Sequence, residues 1–398
     1  MQRFFRDDGM NFAVLISLGF SYANIADAGE TMATIERIPD GDGEAWVREW
    51  TGTADRLSGQ AAESLAGGHM VSGRARLLRA STYYDHASSQ APGSRDPSRF
   101  TSLWEKHREC WDRAVALFET PVEKIEVPYE HTTLAGYFFK PDTTSVARST
   151  IILNNGSDGP VSSQWSLGGR AAIARGWNAI TFDGPGQGAA LHRQHLYFRH
   201  DWERVVTPVV DYLVGRDDVD ADAIVLQGVS QAGYWTPRAA AFEHRLAALV
   251  ADPGVVRVAS SWEAHLPPEM IQLLDAGNQG DFDSLMNADQ DPSRRALLAW
   301  RMAPYGTTSA FEAYTAARRM TLDDDTIRSI QCPTLVLDPD HEQFWPGQSQ
   351  QLFDTLTCDK RLARFTADEG GGWHCEPAAQ SLRDERVFDF LEDVVSSR

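Results

Sequence analysis

The sequence predicts an α/β fold, a mostly parallel sheet with helices on both faces, preceded by an all-helical domain. Three observations carry this. As far as Phe118 the apolar residues recur at helical spacing without strand-like alternation. After Pro121 two short alternating segments read as a hairpin. From there onward, β-branched runs alternate with helical stretches, the pattern of parallel strands joined by helical crossovers. With 42% hydrophobic residues in 398, the chain can bury a sizeable core in two domains.

The helical domain is placed at residues 1–121, where Trp46, Trp50, Leu57, Leu65, Leu77 and Leu78 recur among charged and alanine-rich positions. Within it, Gln90 to Pro97 is a loop by composition, and a further helix is expected from Pro97 through Ala116. The second domain, residues 122–398, begins with strands at Lys124 to Tyr129 and Leu134 to Phe139, joined at His131-Thr132-Thr133. Further strands are expected at Ser149 to Leu153, Asn178 to Phe182, Ala223 to Leu226, Ala247 to Val250, Thr334 to Leu337 and Leu362 to Phe365, with a closing helix near Glu385 to Val395. The stretch 253–325 is too long for a simple crossover and holds helix-like segments such as Arg295 to Met302. It reads as an insertion over the carboxyl edge of the sheet, where ligands bind in open α/β sheets.

The balance of 37 basic against 56 acidic residues, a formal charge of −19, opposes binding to nucleic acid or to anionic membrane surfaces. Cys110, Cys332, Cys358 and Cys375 form no CxxC pair, which argues against a disulfide framework or zinc knuckle and fits a reducing, cytoplasmic setting. The apolar run Phe12 to Phe20 is too short to span a bilayer, and Asp7 and Asp8 stand where a signal peptide would carry basic residues, so no signal peptide is expected.

Chemistry concentrates on Gly228-Val229-Ser230-Gln231-Ala232-Gly233, an elbow of the G-x-S-x-G type that follows the strand Ala223 to Leu226 and precedes a helical stretch from Trp235 to Phe242. In a strand-turn-helix setting the sharp turn holds the serine in a strained, exposed position, the nucleophile elbow of the α/β-hydrolase fold. A serine hydroxyl needs a base, usually a histidine oriented by a carboxylate, and in this fold the chain order is Ser, acid, His. His374 lies in a glycine-rich loop, Glu369 to Cys375, after the last strand, and is the expected base ahead of His244, His265 and His341. Hydrolases of this fold often read Pro-Thr-Leu-Val-Leu, four loop residues, an Asp, and a Pro four positions later. Pro333 to Leu337 in that register selects Glu342 as the acid, with Pro346 in place; Asp340 and Asp338 in the same loop, and Asp252 after the preceding strand, are the alternatives. The oxyanion donors are expected to be the N–H groups of Gln231 and of Ser157 in Asn154-Asn155-Gly156-Ser157-Asp158-Gly159.

Two other patterns read as structural. Asp183-Gly184-Pro185-Gly186-Gln187-Gly188 resembles a D-x-P-G-x-G turn and lacks the Gly-Lys-Ser/Thr ending of a phosphate loop. His192, His195 and His200 have no carboxylate or cysteine at recognisable ligand spacing, so no metal is expected.

Taken with Gly29-Glu30-Thr31, Asp40 to Trp46, Gly68 to Ser72, Leu78 to Tyr84, Phe344 to Gln348 and Gly372 to Cys375, the elbow makes nearly the whole chain resemble one α/β-hydrolase branch. This is the branch of 2,6-dihydroxypseudooxynicotine hydrolase and the fermentation-respiration switch protein, with fungal polyketide-shortening hydrolases as relatives. The resemblance implies a helical cap over the active site and a homodimer. It also implies cofactor-free hydrolysis of an ester, or of a carbon–carbon bond beside a ketone, in a small aromatic or polyketide-like molecule. Glu342 departs from the usual Asp. Glu263 falls near an auxiliary glutamate of the nicotine-degrading relative, and Tyr83, Tyr84 and His86 of the cap, with Asp158, are candidates for a substrate pocket, though at least one of the tyrosines reads better as cap core with its hydroxyl satisfied. The rival readings are acyl transfer or cyclisation by the same triad in natural-product biosynthesis, and a non-catalytic binding protein of the same fold.

Overall fold

The computed structural model of the chain describes residues 3–288 and 291–396. Two compact units emerge, one of residues 1–122 with 289–300 and 377–381, the other of 123–288, 301–376 and 382–398. The sequence assigned only 1–121 to the helical part; the two later segments carry no compositional mark that sets them apart from their surroundings.

The first unit is built from the helices Asp8–Phe20, Ala28–Ile35, Gly43–Ala66, Met70–Gln90 and Arg99–Val115. Asp7, Asp27 and Asp42 each begin a helix by accepting the backbone N–H three residues on, which satisfies a donor that the first turn leaves open. Trp46, Trp50, Leu57, Leu77, Tyr83 and Trp111 fill its core with at most 1% of their surface exposed. The run from Asp8 to Phe20 is thus a capped helix, and among the described residues no helix is long and apolar enough to cross a membrane.

The second unit holds one eight-stranded sheet: β1 Val122–Tyr129, β2 Thr132–Phe139, β3 Arg148–Asn154, β4 Asn178–Phe182, β5 Val219–Val229, β6 Ala248–Asp252, β7 Thr334–Pro339 and β8 Lys360–Phe365. Their order is β1-β2-β4-β3-β5-β6-β7-β8. β2 pairs antiparallel with β4, and β4, β3, β5, β6, β7 and β8 run parallel. Every expected strand is present. The hairpin turns at Glu130, whose φ is 48°, and Thr132-Thr133 already belong to β2, one step earlier than the sequence placed the turn.

Central strands buried on both faces explain the β-branched runs: Ile152, Ile180, Leu226, Leu249 and Val336 have no exposed surface. The helix Glu203–Val214 covers one face with Val205, Val206, Val209, Val210 and Leu213 at helical spacing, and Trp202 stacks on Trp235 with ring centroids 4.2 Å apart. The expected insertion is helical, with Ala259–Glu263, Pro268–Asp275, Gln279–Met286, Pro292–Met302 and Ala310–Arg319.

Register decides what meets at the carboxyl edge. Asn154 pairs with Gly228 and Val229 with Asp252, so the ends of β3, β5 and β6 lie side by side.

Candidate active site

Ser230 stands on the turn between β5 and the helix Ala232–Ala240 with φ 57°, a left-handed conformation that a serine adopts only under constraint. Ala232 stands two residues after the serine, so the elbow is strictly G-x-S-x-A-G, and its two glycines are required by crowding. A Cβ on Gly228 would come within 2.4 Å of the Ala232 carbonyl oxygen, and one on Gly233 within 1.8 Å of the Pro253 carbonyl oxygen. The serine N–H donates to the Asp252 carbonyl at 2.6 Å.

The loops after β7 and β8 are joined to each other. Asp340 N–H donates to the Phe365 carbonyl at 2.9 Å and His341 N–H to the Gly372 carbonyl at 2.7 Å. This fastening brings Glu342 to His374, whose own N–H donates to the Gln343 side chain at 3.0 Å. His374 Nε2 lies 2.9 Å from Ser230 Oγ, and Nδ1 lies 2.7 Å from Glu342 Oε2. Imidazole and carboxylate are both buried, with 5% of each side chain exposed. Glu342 Oε1 accepts the N–H groups of Phe344 at 2.9 Å and Trp345 at 3.1 Å. Burial pushes the Glu342 carboxyl up, but His374 and the two backbone donors outweigh it and hold the group below the ordinary carboxylate value. Phe344 stands edge-on to the imidazole with centroids 4.8 Å apart.

The loop after β3 passes directly against the nucleophile, since a Cβ on Gly156 would lie 2.8 Å from Ser230 Cβ. Gln187 fixes this loop, donating to the carbonyls of Asn155 at 2.8 Å and Gly156 at 2.6 Å. The D-x-P-G-x-G turn thus does more than reverse the chain, because it supplies the prop for the neighbouring loop. Gly156 N–H is occupied by Asn155 Oδ1 at 2.9 Å. Among the described residues, the N–H groups of Gln231 and Ser157 find no acceptor.

Several expected residues lie elsewhere. Asp340 is exposed and accepts the Ala367 N–H, so it braces the loop and does not reach the histidine. Asp338 is paired with Arg364 at 3.7 Å. Asp252 is buried, and no hydrogen bond joins its carboxyl to His374. Glu263 is held by Arg257 at 2.6 Å and by Arg318; burial raises its pKa, these two arginines outweigh that, and it stays ionised in a structural ion-pair cluster. Asp158, by contrast, stays beside Ser157 on the loop after β3, exposed and accepting the Ser157 hydroxyl at 3.2 Å. Tyr83 and Tyr84 are core residues of the helical unit, correcting the pocket assignment: Tyr83 binds Asp27 N–H at 2.9 Å and Glu30 at 3.0 Å, and Tyr84 donates to Asp55 at 2.6 Å. His86 is likewise buried there, its pKa pushed down to about 4 by burial and by His107. Of the histidine run, His200 faces Arg319, and among the described residues no group of three or more His, Cys, Asp or Glu has a metal-binding arrangement.

The sequence reading missed Gln187, Cys375, Glu376 and Tyr305. Cys375 Sγ sits 3.2 Å from the Ser230 N and donates to the Asp252 carbonyl at 3.3 Å. Tyr305 places a buried hydroxyl beside the Gln231 side chain.

No family model matches the chain. Hydrolase LUC6 of Fusarium sp is 29% identical over 418 residues, covering 100% of this chain and 99% of its own. The 20-hydroxy-prefusarin hydrolase FUS2 of Gibberella moniliformis is 26% identical over 410 residues, covering 98% of each. The crystal structure of the 2,6-dihydroxy-pseudo-oxynicotine hydrolase superposes with a TM-score of 0.73 at 20% identity, covering 94% of this chain and 95% of that one. The chain has the α/β-hydrolase fold and is similar along its whole length to these hydrolases. The strand order and the full-length similarity agree, and the helical N-terminal region lies inside the matched length.

Proposed function

We propose that this protein cleaves a carboxylic ester, or a carbon–carbon bond beside a ketone, in a small aromatic or polyketide-like molecule through an acyl-serine intermediate. The observation that carries the reading is the continuous line from Ser230 Oγ to His374 Nε2 at 2.9 Å and from His374 Nδ1 to Glu342 at 2.7 Å. His374 takes the Ser230 proton as Oγ bonds to the substrate carbonyl carbon. The oxyanion forms against the open N–H groups of Gln231 and Ser157. The tetrahedral adduct then collapses, the leaving group takes the proton from His374, and the acyl group stays on the serine. A water, deprotonated by His374, releases the acid and restores the Ser230 hydroxyl.

For a carbon–carbon substrate the departing fragment is a carbanion, so it must be stabilised as an enolate or by an aryl ring before carbon is protonated. The names of two similar proteins specify small hydroxylated molecules, 20-hydroxy-prefusarin and 2,6-dihydroxy-pseudo-oxynicotine, which supports a small-molecule substrate. The test is covalent labelling with a fluorophosphonate. Wild type takes up one probe and Ser230→Ala none; failure of wild type to react removes the reading. Product analysis with panels of aryl ketones and esters then separates the two bonds.

A further inference from the structure

Behind the nucleophile the chain buries more charge than the triad uses. Asp252 and Glu376 have no exposed surface, nor has Arg383, and Asp384 retains 3%. Arg383 donates Nη2 to the Ser166 carbonyl at 3.1 Å and to Asp384 at 2.9 Å. Among the described residues, no N–H group donates to either carboxyl oxygen of Asp252 or of Glu376, and Cys375, the chain neighbour of Glu376, donates its thiol to the Asp252 carbonyl at 3.3 Å. If Asp252, Glu376 and Asp384 were all ionised against one guanidinium, an uncompensated pair of negative charges would sit in a dry interior, where each unpaired ion costs several kcal/mol. A single proton between the two facing carboxyls removes one charge and satisfies one oxygen on each side.

We propose that Asp252 and Glu376 share one proton as a carboxyl–carboxylate pair, and that this bridge is a positioning device for Ser230 and His374. The proposal rests on the triad reading above. Its geometry is a tie between two elements. Asp252 ends β6, and its carbonyl accepts the Ser230 N–H at 2.6 Å and the Cys375 S–H at 3.3 Å. Cys375 and Glu376 directly follow His374. The side-chain bridge therefore clamps the histidine loop to the strand that anchors the nucleophile, and loss of the proton sets two buried carboxylates against each other at that joint.

The groups facing the pair are Arg383 and Asp384 on the helix Gln380–Ser396, Glu342 on the loop after β7, and His374 and Cys375 on the pair's own loop. Burial pushes Asp252 up to about 6, with Arg383 and His374 opposing. Burial, then the Asp252 charge, pushes Glu376 well above the ordinary carboxylate range. Both directions favour retention of one proton between the two carboxyls, and its loss at higher pH is what the proposal predicts.

The experiment pairs infrared spectroscopy of the resting full-length protein with the pH dependence of fluorophosphonate labelling. A protonated-carboxyl C=O band is expected at about pH 8 in wild type and in Ser230→Ala, and is lost in Glu376→Gln. The amide of Glu376→Gln donates permanently to Asp252. That variant should label within about threefold of wild type at neutral pH and lack the alkaline fall in rate, while Glu376→Ala should lose about tenfold or more. Absence of the band, or Glu376→Gln as slow as Glu376→Ala with an unaltered alkaline fall, overturns the proposal. Should wild type fail to label, the triad reading fails, and the infrared band alone still decides whether the pair shares a proton.

Discussion

Glu342 is one methylene longer than the aspartate usual at its register position, and the structure uses that length. One oxygen meets His374 while the other is held by the N–H groups of Phe344 and Trp345, so the carboxylate is fixed from both sides. Glu342→Gln keeps the shape and removes the charge that selects the imidazole tautomer. Such a change costs about 10⁴ in kcat where it has been measured in a Ser-His-Asp enzyme. On an activated aryl ester, Glu342→Gln is expected to lose several orders of magnitude, whereas Asp340→Asn, whose carboxylate braces the Ala367 N–H, should stay within about threefold. The reverse ranking would return the acid to Asp340. This choice was legible from counting residues after β7, because loop length sets which side chain arrives at the edge. Glu376 was not legible, since two carboxyls from distant stretches become partners only when β6 and the histidine loop are adjacent.

At the scale of elements, strands were readable because a doubly covered parallel sheet demands unbroken apolar runs, and helices around them because each buries one stripe. What the runs do not encode is how one loop holds another. Gln187 was read as part of a turn, yet its amide fixes the two carbonyls that precede Ser157. Under the proposed mechanism the Ser157 N–H serves the oxyanion, and those bonds are what hold its loop in place. Losing one oxyanion donor costs about 10²–10³ in kcat, and a displaced donor costs part of that. Gln187→Ala is therefore expected to lower kcat by about tenfold to a hundredfold with a smaller change in KM, measured by steady-state kinetics on the same ester. An unchanged kcat would show that the loop holds its position without this prop.

For the whole molecule, the decisive question is where each unit spends its polar groups. Helical periodicity marked Tyr83 and Tyr84 as buried or pocket-lining without distinguishing the two, because a helix packed on more than one side buries consecutive positions. In the structure the Tyr83 hydroxyl accepts the Asp27 N–H that opens the helix Ala28–Ile35 and donates to Glu30, which Arg79 also holds at 2.9 Å. Burial and the Glu30 charge raise the pKa of the phenol, so the hydroxyl stays neutral and donating across the working range. Tyr83→Phe leaves the part-buried Asp27 N–H and the Glu30 carboxylate short of one partner each, a cost of about 0.5–1.5 kcal/mol for each bond lost. The variant is expected to melt several degrees lower by calorimetry while fluorophosphonate labelling of Ser230 proceeds at the wild-type rate. A loss of labelling or ester turnover in protein that melts normally would mean that the phenol serves the substrate after all, and would restore the pocket role that the sequence left open for it.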